Sequence, residues 1–265
     1  MAHTPETEPR DHLEAESLAA GRRRAPKQLV LVRHAQSVAN VADEHAHQTG
    51  AGRLEIETRD ADTPLSELGE RQARALGEYL RELPEDERPD VVLSSPYVRA
   101  RRTAEIALEV AGLDQRLVLD ERIRERDLGV LDGYTRIGIE EKFPEEAERR
   151  TRDGKLYYRP AGGESWCDVA LRIRSILADI RAEYDSEKVW VFSHQATIMS
   201  FRLVLESLEE SELMAIDRET PVPNVSLTFY ERSREGSLEL AEYGVTAHLE
   251  GVRATAEPAA GEGKA

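Results

Sequence analysis

The sequence predicts an α/β sandwich, and two observations carry that expectation. Short apolar runs alternate with segments of helical periodicity along most of the chain, and three of those runs end in polar residues suited to one chemistry. Residues 28–32, 90–93, 188–192, 226–230 and 238–241 read as strands, being short, rich in Val, Leu, Phe and Tyr, and bounded by charge. Leu65, Leu68, Gln72, Leu76, Tyr79 and Leu83 form one helical face. Trp166, Val169, Ile173, Ile176, Leu177, Ile180 and Tyr184 form a cleaner one at i, i+3, i+4, i+7 spacing. Ser95-Pro96 ahead of a helical run reads as an N-cap with proline at the first helical position. Strand and helix in alternation build a sheet covered by helices. In such sheets ligands collect beyond the C-terminal ends of the strands.

A length of 265 residues suits one substantial domain or two small ones. Residues 1–27 carry five acidic and five basic side chains and no apolar periodicity, and residues 251–265 are rich in Ala, Gly and Glu. Both are expected to be disordered tails around a domain at 28–250. The formal charge of −16 repels phosphodiester backbones and anionic lipid, which argues against nucleic-acid and membrane partners. An anionic substrate would therefore need a local cationic cluster. A single cysteine, Cys167, excludes an internal disulfide. No stretch approaches the ~18 apolar residues of a membrane span. Arg22-Arg23-Arg24 precedes no signal-type apolar segment, so a cytoplasmic location is expected.

The first strand runs into Arg33-His34, the second into Ser94-Ser95 with Arg99 close behind, and the run at 188–192 into Ser193-His194. If these ends converge, one pocket holds two arginines and two histidines. Such a pocket fits a phosphoryl group, whose dianionic charge calls for several cationic donors. A neutral imidazole can attack phosphorus and afterwards leave, while a second one donates to the transferring oxygens.

These segments resemble the signatures of the phosphoglycerate mutase-like histidine phosphatases. Leu31-Val32-Arg33-His34-Ala35-Gln36-Ser37 with Asn40 is similar to the family's Arg-His-Gly segment. Leu65-Ser66 with Gly69 and Gln72-Ala73 follows it, and then Ser95-Pro96 with Arg99-Ala100 and Thr103-Ala104. Arg124-Glu125-Arg126-Asp127-Leu128-Gly129, Gly163-Glu164-Ser165 and Ser193-His194 complete the set in the family's order. The resemblance implies a three-layer sandwich with a mostly parallel sheet and helices on both faces. It also implies His34 as the phosphorylated nucleophile, Arg33, Arg99 and His194 as the phosphate clamp, Asn40 on its rim and Glu125 as proton donor. No metal or other cofactor is implied. A sister branch carries an Asp donor directly after the second histidine, and Gln195 stands there in this chain, which favours Glu125.

Two departures stand out. Ala35 replaces the usual Gly and Gln36 an acidic or hydroxylated residue, and both are expected to change pocket shape without removing a catalytic atom. Residues 131–163 correspond to the family's substrate-facing insertion. Its basic cluster includes Arg152, Lys155 and Arg159, and the run from Arg152 to Pro160 looks like the sugar-phosphate-binding stretch of fructose-2,6-bisphosphatase domains. Arg152, Lys155, Arg159 and Gln195 are thus candidate substrate-binding residues, with a solvated charged face as the alternative for the cluster. Residues 41–63 read as a long polar loop able to fold over the pocket, and His45 and His47 within it lack the acidic or cysteine partners of a zinc site. The leading expectation is a phosphomonoesterase acting on a small phosphate ester. A cofactor-dependent mutase is the alternative, disfavoured by the short insertion, and an inactive phospho-ligand-binding relative is a third reading.

Overall fold

The computed structural model describes residues 25–256. Its centre is a six-stranded sheet of β1 (Gln28–Arg33), β2 (Val91–Ser94), β3 (Leu117–Leu119), β4 (Lys188–Ser193), β5 (Leu227–Arg232) and β6 (Leu238–Val245), in the order β3-β2-β4-β1-β5-β6. Strands β1 to β4 pair in parallel, while β5 runs antiparallel to both β1 and β6. Five strands lie where the apolar runs predict them. The three-residue β3 is too short, and too closely flanked by charge, to leave a periodic signal.

Alternation along the two central strands divides the core. Leu29 and Leu31 of β1 and Val189 and Val191 of β4 point to one face, packed against α6 (Trp166–Glu183) and α7 (Gln195–Leu205). Val30, Val32, Trp190 and Phe192 point to the other, packed against α2 (Glu67–Glu82) and α3 (Val98–Ala111). All eight are buried, as a sheet with helices on both faces requires. The expected three-layer α/β sandwich is the observed one. The remaining helices are α1 (Val38–Thr49), α4 (Arg136–Lys142), α5 (Pro144–Tyr157) and α8 (Glu210–Glu219).

Local chemistry sets the helix starts. Ser66 Oγ accepts from the Gly69 N–H to cap α2, and Ser165 and Asp168 form a reciprocal capping box on α6. Ser95-Pro96 does not start α3, which begins two residues later at Val98; the Ser95 hydroxyl accepts from the Tyr97 N–H and meets a histidine instead. The segment expected as a loop from residue 41 is helical up to Thr49, capped by Ser37 and Asn40. Residues 25–27 and 251–256, at the inner ends of the two expected tails, are among the described residues and contact the domain. Ala25 is fully buried and Lys27 N–H donates to Glu187 O, while Gln72 Nε2 donates to Arg253 O and to Thr255 Oγ1. Residues 1–24 and 257–265 lie outside the described residues.

Gly69, in the first turn of α2, passes hard against the segment that follows β1. A Cβ there would stand 2.0 Å from Gln36 O. Gly69→Ala therefore forces the two segments apart, and we expect a loss of about 1–3 kcal/mol, typical of overpacking. Thermal unfolding reads it as a lower Tm, and an unchanged Tm would show that the segment yields freely.

Candidate active site

The three parallel strand ends are stitched together by backbone bonds just beyond the sheet. His34 N–H donates to Ser193 O at 2.9 Å and Ser95 N–H to Phe192 O at 2.9 Å. Because β2, β4 and β1 are neighbours, Arg33-His34, Ser94-Ser95 and Ser193-His194 arrive at one place. The His34 and His194 rings lie 5.1 Å apart between centroids, and Tyr97 packs edge-on to His194 at 5.3 Å.

His34 is buried, with its Nδ1 2.7 Å from the Ala35 carbonyl. A carbonyl only accepts, so Nδ1 carries the proton, and in the neutral ring Nε2 keeps its lone pair. The backbone around it is fixed on every side. Asn224 Nδ2 donates to His34 O, Ala35 N–H to Thr103 Oγ1 and Gln36 N–H to Gln72 Oε1. His194 is fully buried, with Nε2 2.8 Å from Ser95 Oγ and no partner at Nδ1 among the described residues. Burial first, then the charges of Arg99 and Arg33, hold His34 well below the ordinary imidazole pKa. Burial lowers His194 in the same way, followed by Arg99, His34, Arg33 and Arg172.

A cavity of about 450 Å³ opens over His34, and Arg99, Asn40, Glu125, Lys155 and Gln195 line it. Arg33 and His194 do not. They lie fully buried beside His34, Arg33 donating from Nη1 to Val222 O. Arg99 is engaged by Asp60: Nη1 donates to its backbone oxygen at 2.6 Å and pairs with Oδ1 at 2.9 Å. Asp60 belongs to a short turn (Asp60–Asp62) in the segment expected as a cover, and Leu54, Ile56 and Asp60 of that segment do line the cavity.

Glu125 sits in irregular chain between two short turns, Glu121–Ile123 and Gly129–Leu131. Its Oε2 accepts from Ala196 N–H at 3.3 Å, in the first turn of α7. Oε1 accepts from Arg126 N–H at 2.9 Å and lies 3.4 Å from the Thr197 hydroxyl.

Several expectations are corrected. Arg152 pairs with its neighbour Asp153 and is 73% exposed, and Arg159 pairs with Asp168 at 61% exposure; neither lines the cavity. Lys155 does, because Gly154 breaks the helical course of α5 at φ 75°, ψ 156°. It pairs with Asp217 and lies over the Trp166 ring. The Ala35 methyl packs into the core and Gln36 accepts from the Ser66 hydroxyl, so neither side chain lines the cavity. His47 bonds to Asp43 on α1, and no group of three or more metal-ligating side chains occurs among the described residues. Sequence reading missed Asp60, Arg126 and Asn224. Arg126 lines the cavity with its pKa lowered by burial and by Arg150, and only its place next to Glu125 hinted at it.

Residues 29–244 match the profile of the histidine phosphatase superfamily (branch 1). The chain belongs to that superfamily. A 2,3-bisphosphoglycerate-dependent phosphoglycerate mutase 2 of Gloeobacter violaceus is 33% identical over 198 residues, covering 74% of this chain and 83% of the relative. A probable fructose-2,6-bisphosphatase of Schizosaccharomyces pombe is 33% identical over 169 residues, 63% of this chain and 39% of the relative. Among solved structures, a mycobacterial glucosyl-3-phosphoglycerate phosphatase with inorganic phosphate aligns at a TM-score of 0.63 and 27% identity, covering 84% and 99% of the two chains. No helix among the described residues is long and apolar enough to cross a membrane.

Both site histidines have folded pKa values below the free value near 6.5. Below that pH the unfolded chain takes up protons that the folded one refuses, so stability falls as pH drops through about 6.5 and does not depend on these groups above it. A superfamily reaction that uses neutral His34 should then show no group titrating near 6.5 in kcat/KM, once the substrate's own second ionisation is divided out. A rate-controlling imidazole at 6.5 in that profile would contradict the burial argument.

Proposed function

We propose that the protein is a cytoplasmic phosphomonoesterase that hydrolyses a small phosphorylated metabolite through a phosphohistidine on His34. The observation that carries this reading is the tautomer of His34: the Ala35 carbonyl accepts from Nδ1–H, which leaves Nε2 unprotonated in a buried, arginine-flanked setting. Nε2 attacks phosphorus as the bond to the leaving oxygen breaks, and protonated Glu125 supplies that oxygen with its proton. Water then gives a proton to the Glu125 carboxylate, attacks phosphorus, and releases His34 and inorganic phosphate.

Arg33, Arg99 and His194 offset the charge on the transferring oxygens. The Ser95 hydroxyl bonds to Nε2 of His194; in this reading the hydroxyl is the donor, and the imidazole proton then sits on Nδ1. Asn40 lies at the cavity wall beside the Ser37 cap and Gln195 next to Asp217, where each meets the leaving group. The cationic side chains supply the charge that a metal provides in other phosphotransferases, so turnover should survive chelation.

A mutase reading has one observation in its favour, the similarity to the Gloeobacter enzyme over 83% of that protein's length. Coverage that extensive also means the short insertion does not by itself separate hydrolase from mutase. The two part at the second step, where the phosphoryl group passes to water or to a second hydroxyl. Product analysis with phosphoglycerates, primed by the bisphosphate, distinguishes free phosphate from isomerised ester.

Two outcomes test the mechanism. Rapid quenching under alkaline conditions should trap phosphate on His34, and His34→Ala should lose both label and turnover; turnover retained by that variant refutes the nucleophile. Glu125→Gln should cost about 10²–10⁴-fold with a poor, alkoxide-type leaving group and far less with an acidic phenol.

Substrate reading falls to Lys155 and Arg126, the cations that line the cavity besides Arg99. Lys155→Glu should raise KM for a substrate with a second anionic group by about 10–100-fold, since a charge-assisted bond contributes about 1.5–3 kcal/mol. Arg152→Glu and Arg159→Glu should leave it unchanged. Equal effects at all three positions would return the role to the whole cluster.

A further inference from the structure

Arg172 lies on α6, outside every motif that marks the family in the sequence, and its side chain is 11% exposed. All five of its N–H donors are used. Nη1 donates to the carbonyls of Arg122 at 2.6 Å and Arg124 at 2.9 Å. Nη2 donates to the Glu125 carbonyl at 3.2 Å and to Glu164 Oε2 at 3.1 Å, while Nε donates to Glu164 Oε1 at 3.0 Å. Glu164 then accepts from the Asp127 N–H at 3.1 Å and from Arg124 Nη2 at 2.8 Å.

One ion pair therefore grips the chain on both sides of Glu125: three carbonyls from the residues up to and including it, and the amide two residues after it. The segment has no helix or strand to hold it. A planar guanidinium with five fixed donors can span these acceptors, whereas an ammonium with three donors cannot. Glu164 is built for the partnership. Burial pushes its pKa up, but bonds from Arg172 and the Asp127 amide outweigh that and leave it below the usual carboxylate range.

We propose that Arg172, braced by Glu164, is the positioning residue for Glu125, fixing where its carboxyl meets the leaving oxygen. The inference rests on the reading of Glu125 as proton donor. Arg172 is too far down the chain of contacts to touch the substrate, and it is absent from the cavity lining. Replacing it by Lys keeps the positive charge that also acts on His194 and removes only the bonds around Glu125, and a misplaced donor harms only those substrates that need a proton.

The test compares wild type, Arg172→Lys, Glu164→Gln, Glu125→Gln and the Glu125→Gln/Arg172→Lys double variant on an alkyl phosphate and on p-nitrophenyl phosphate. Thermal unfolding is followed in parallel. Arg172→Lys should lower kcat for the alkyl ester by about 10–100-fold, a part of what a lost general acid costs. It should change KM and the p-nitrophenyl rate by less than about threefold, and add nothing in the Glu125→Gln background. Glu164→Gln should show the same selectivity, and it carries the test if Arg172→Lys does not fold. Equal losses on both esters, or losses that multiply in the double variant, would make Arg172 a scaffold residue only and overturn the inference. If Glu125→Gln itself discriminates against neither ester, the donor assignment fails, and the role of Arg172 falls with it.

Discussion

Everything at this site depends on taking two imidazoles out of water beside two guanidinium groups. Burial and the neighbouring positive charges both favour the neutral imidazole there. The fold achieves this by continuing backbone pairing past the ends of β1, β2 and β4, so that His34 and His194 are delivered by the sheet itself. Rigid sheet geometry explains why the ring of His34 needs a single short bond, to the Ala35 carbonyl, to fix its tautomer. The lone pair is oriented by main chain and not by another titratable group.

Holding the site by main chain also explains why distant segments converge on it. The His34 carbonyl is held by Asn224 and the Gln36 amide by Gln72, and these two side chains in turn meet Thr255. The chain near the C-terminus thus closes the back of the loop that begins at β1. A segment without apolar periodicity, read from sequence as a tail, is joined to the domain by polar contacts.

That contrast shows what was legible in the sequence. Apolar runs buried on both faces, such as 28–32 and 188–192, and the periodic apolar faces of α2 and α6 announced themselves, because burial dictates which positions are apolar. The site residues at strand ends were legible for the same reason: once the strands are placed, His34, Ser95 and His194 must follow. Contacts made by polar side chains across long sequence distances leave no period. Asp60 on Arg99, Arg172 on Glu125 and Thr255 on Asn224 join residues 39, 47 and 31 positions apart. The basic cluster failed as a guide for a related reason. Charge composition says that cations are present, but the turn at Gly154 decides that Lys155 faces inward while Arg152 and Arg159 find carboxylates at the surface.

The contact between Asp60 and Arg99 bears on selectivity. A phosphoryl group that uses Arg99 must share it with a carboxylate already held at 2.9 to 3.2 Å, or displace that carboxylate. A monoanionic ligand exchanges one carboxylate charge for another and gains little. A dianionic phosphoryl group brings twice the charge to a site that also contains Arg33 and His194, so the exchange favours it. In a protein of net charge −16, Asp60 keeps the Arg99 guanidinium paired within the chain itself. Asp60 lies in the segment that lines the cavity with Leu54 and Ile56, so a phosphoryl group that displaced it would also act on that wall, and recognition of the group would be coupled to the shape offered to the rest of a substrate.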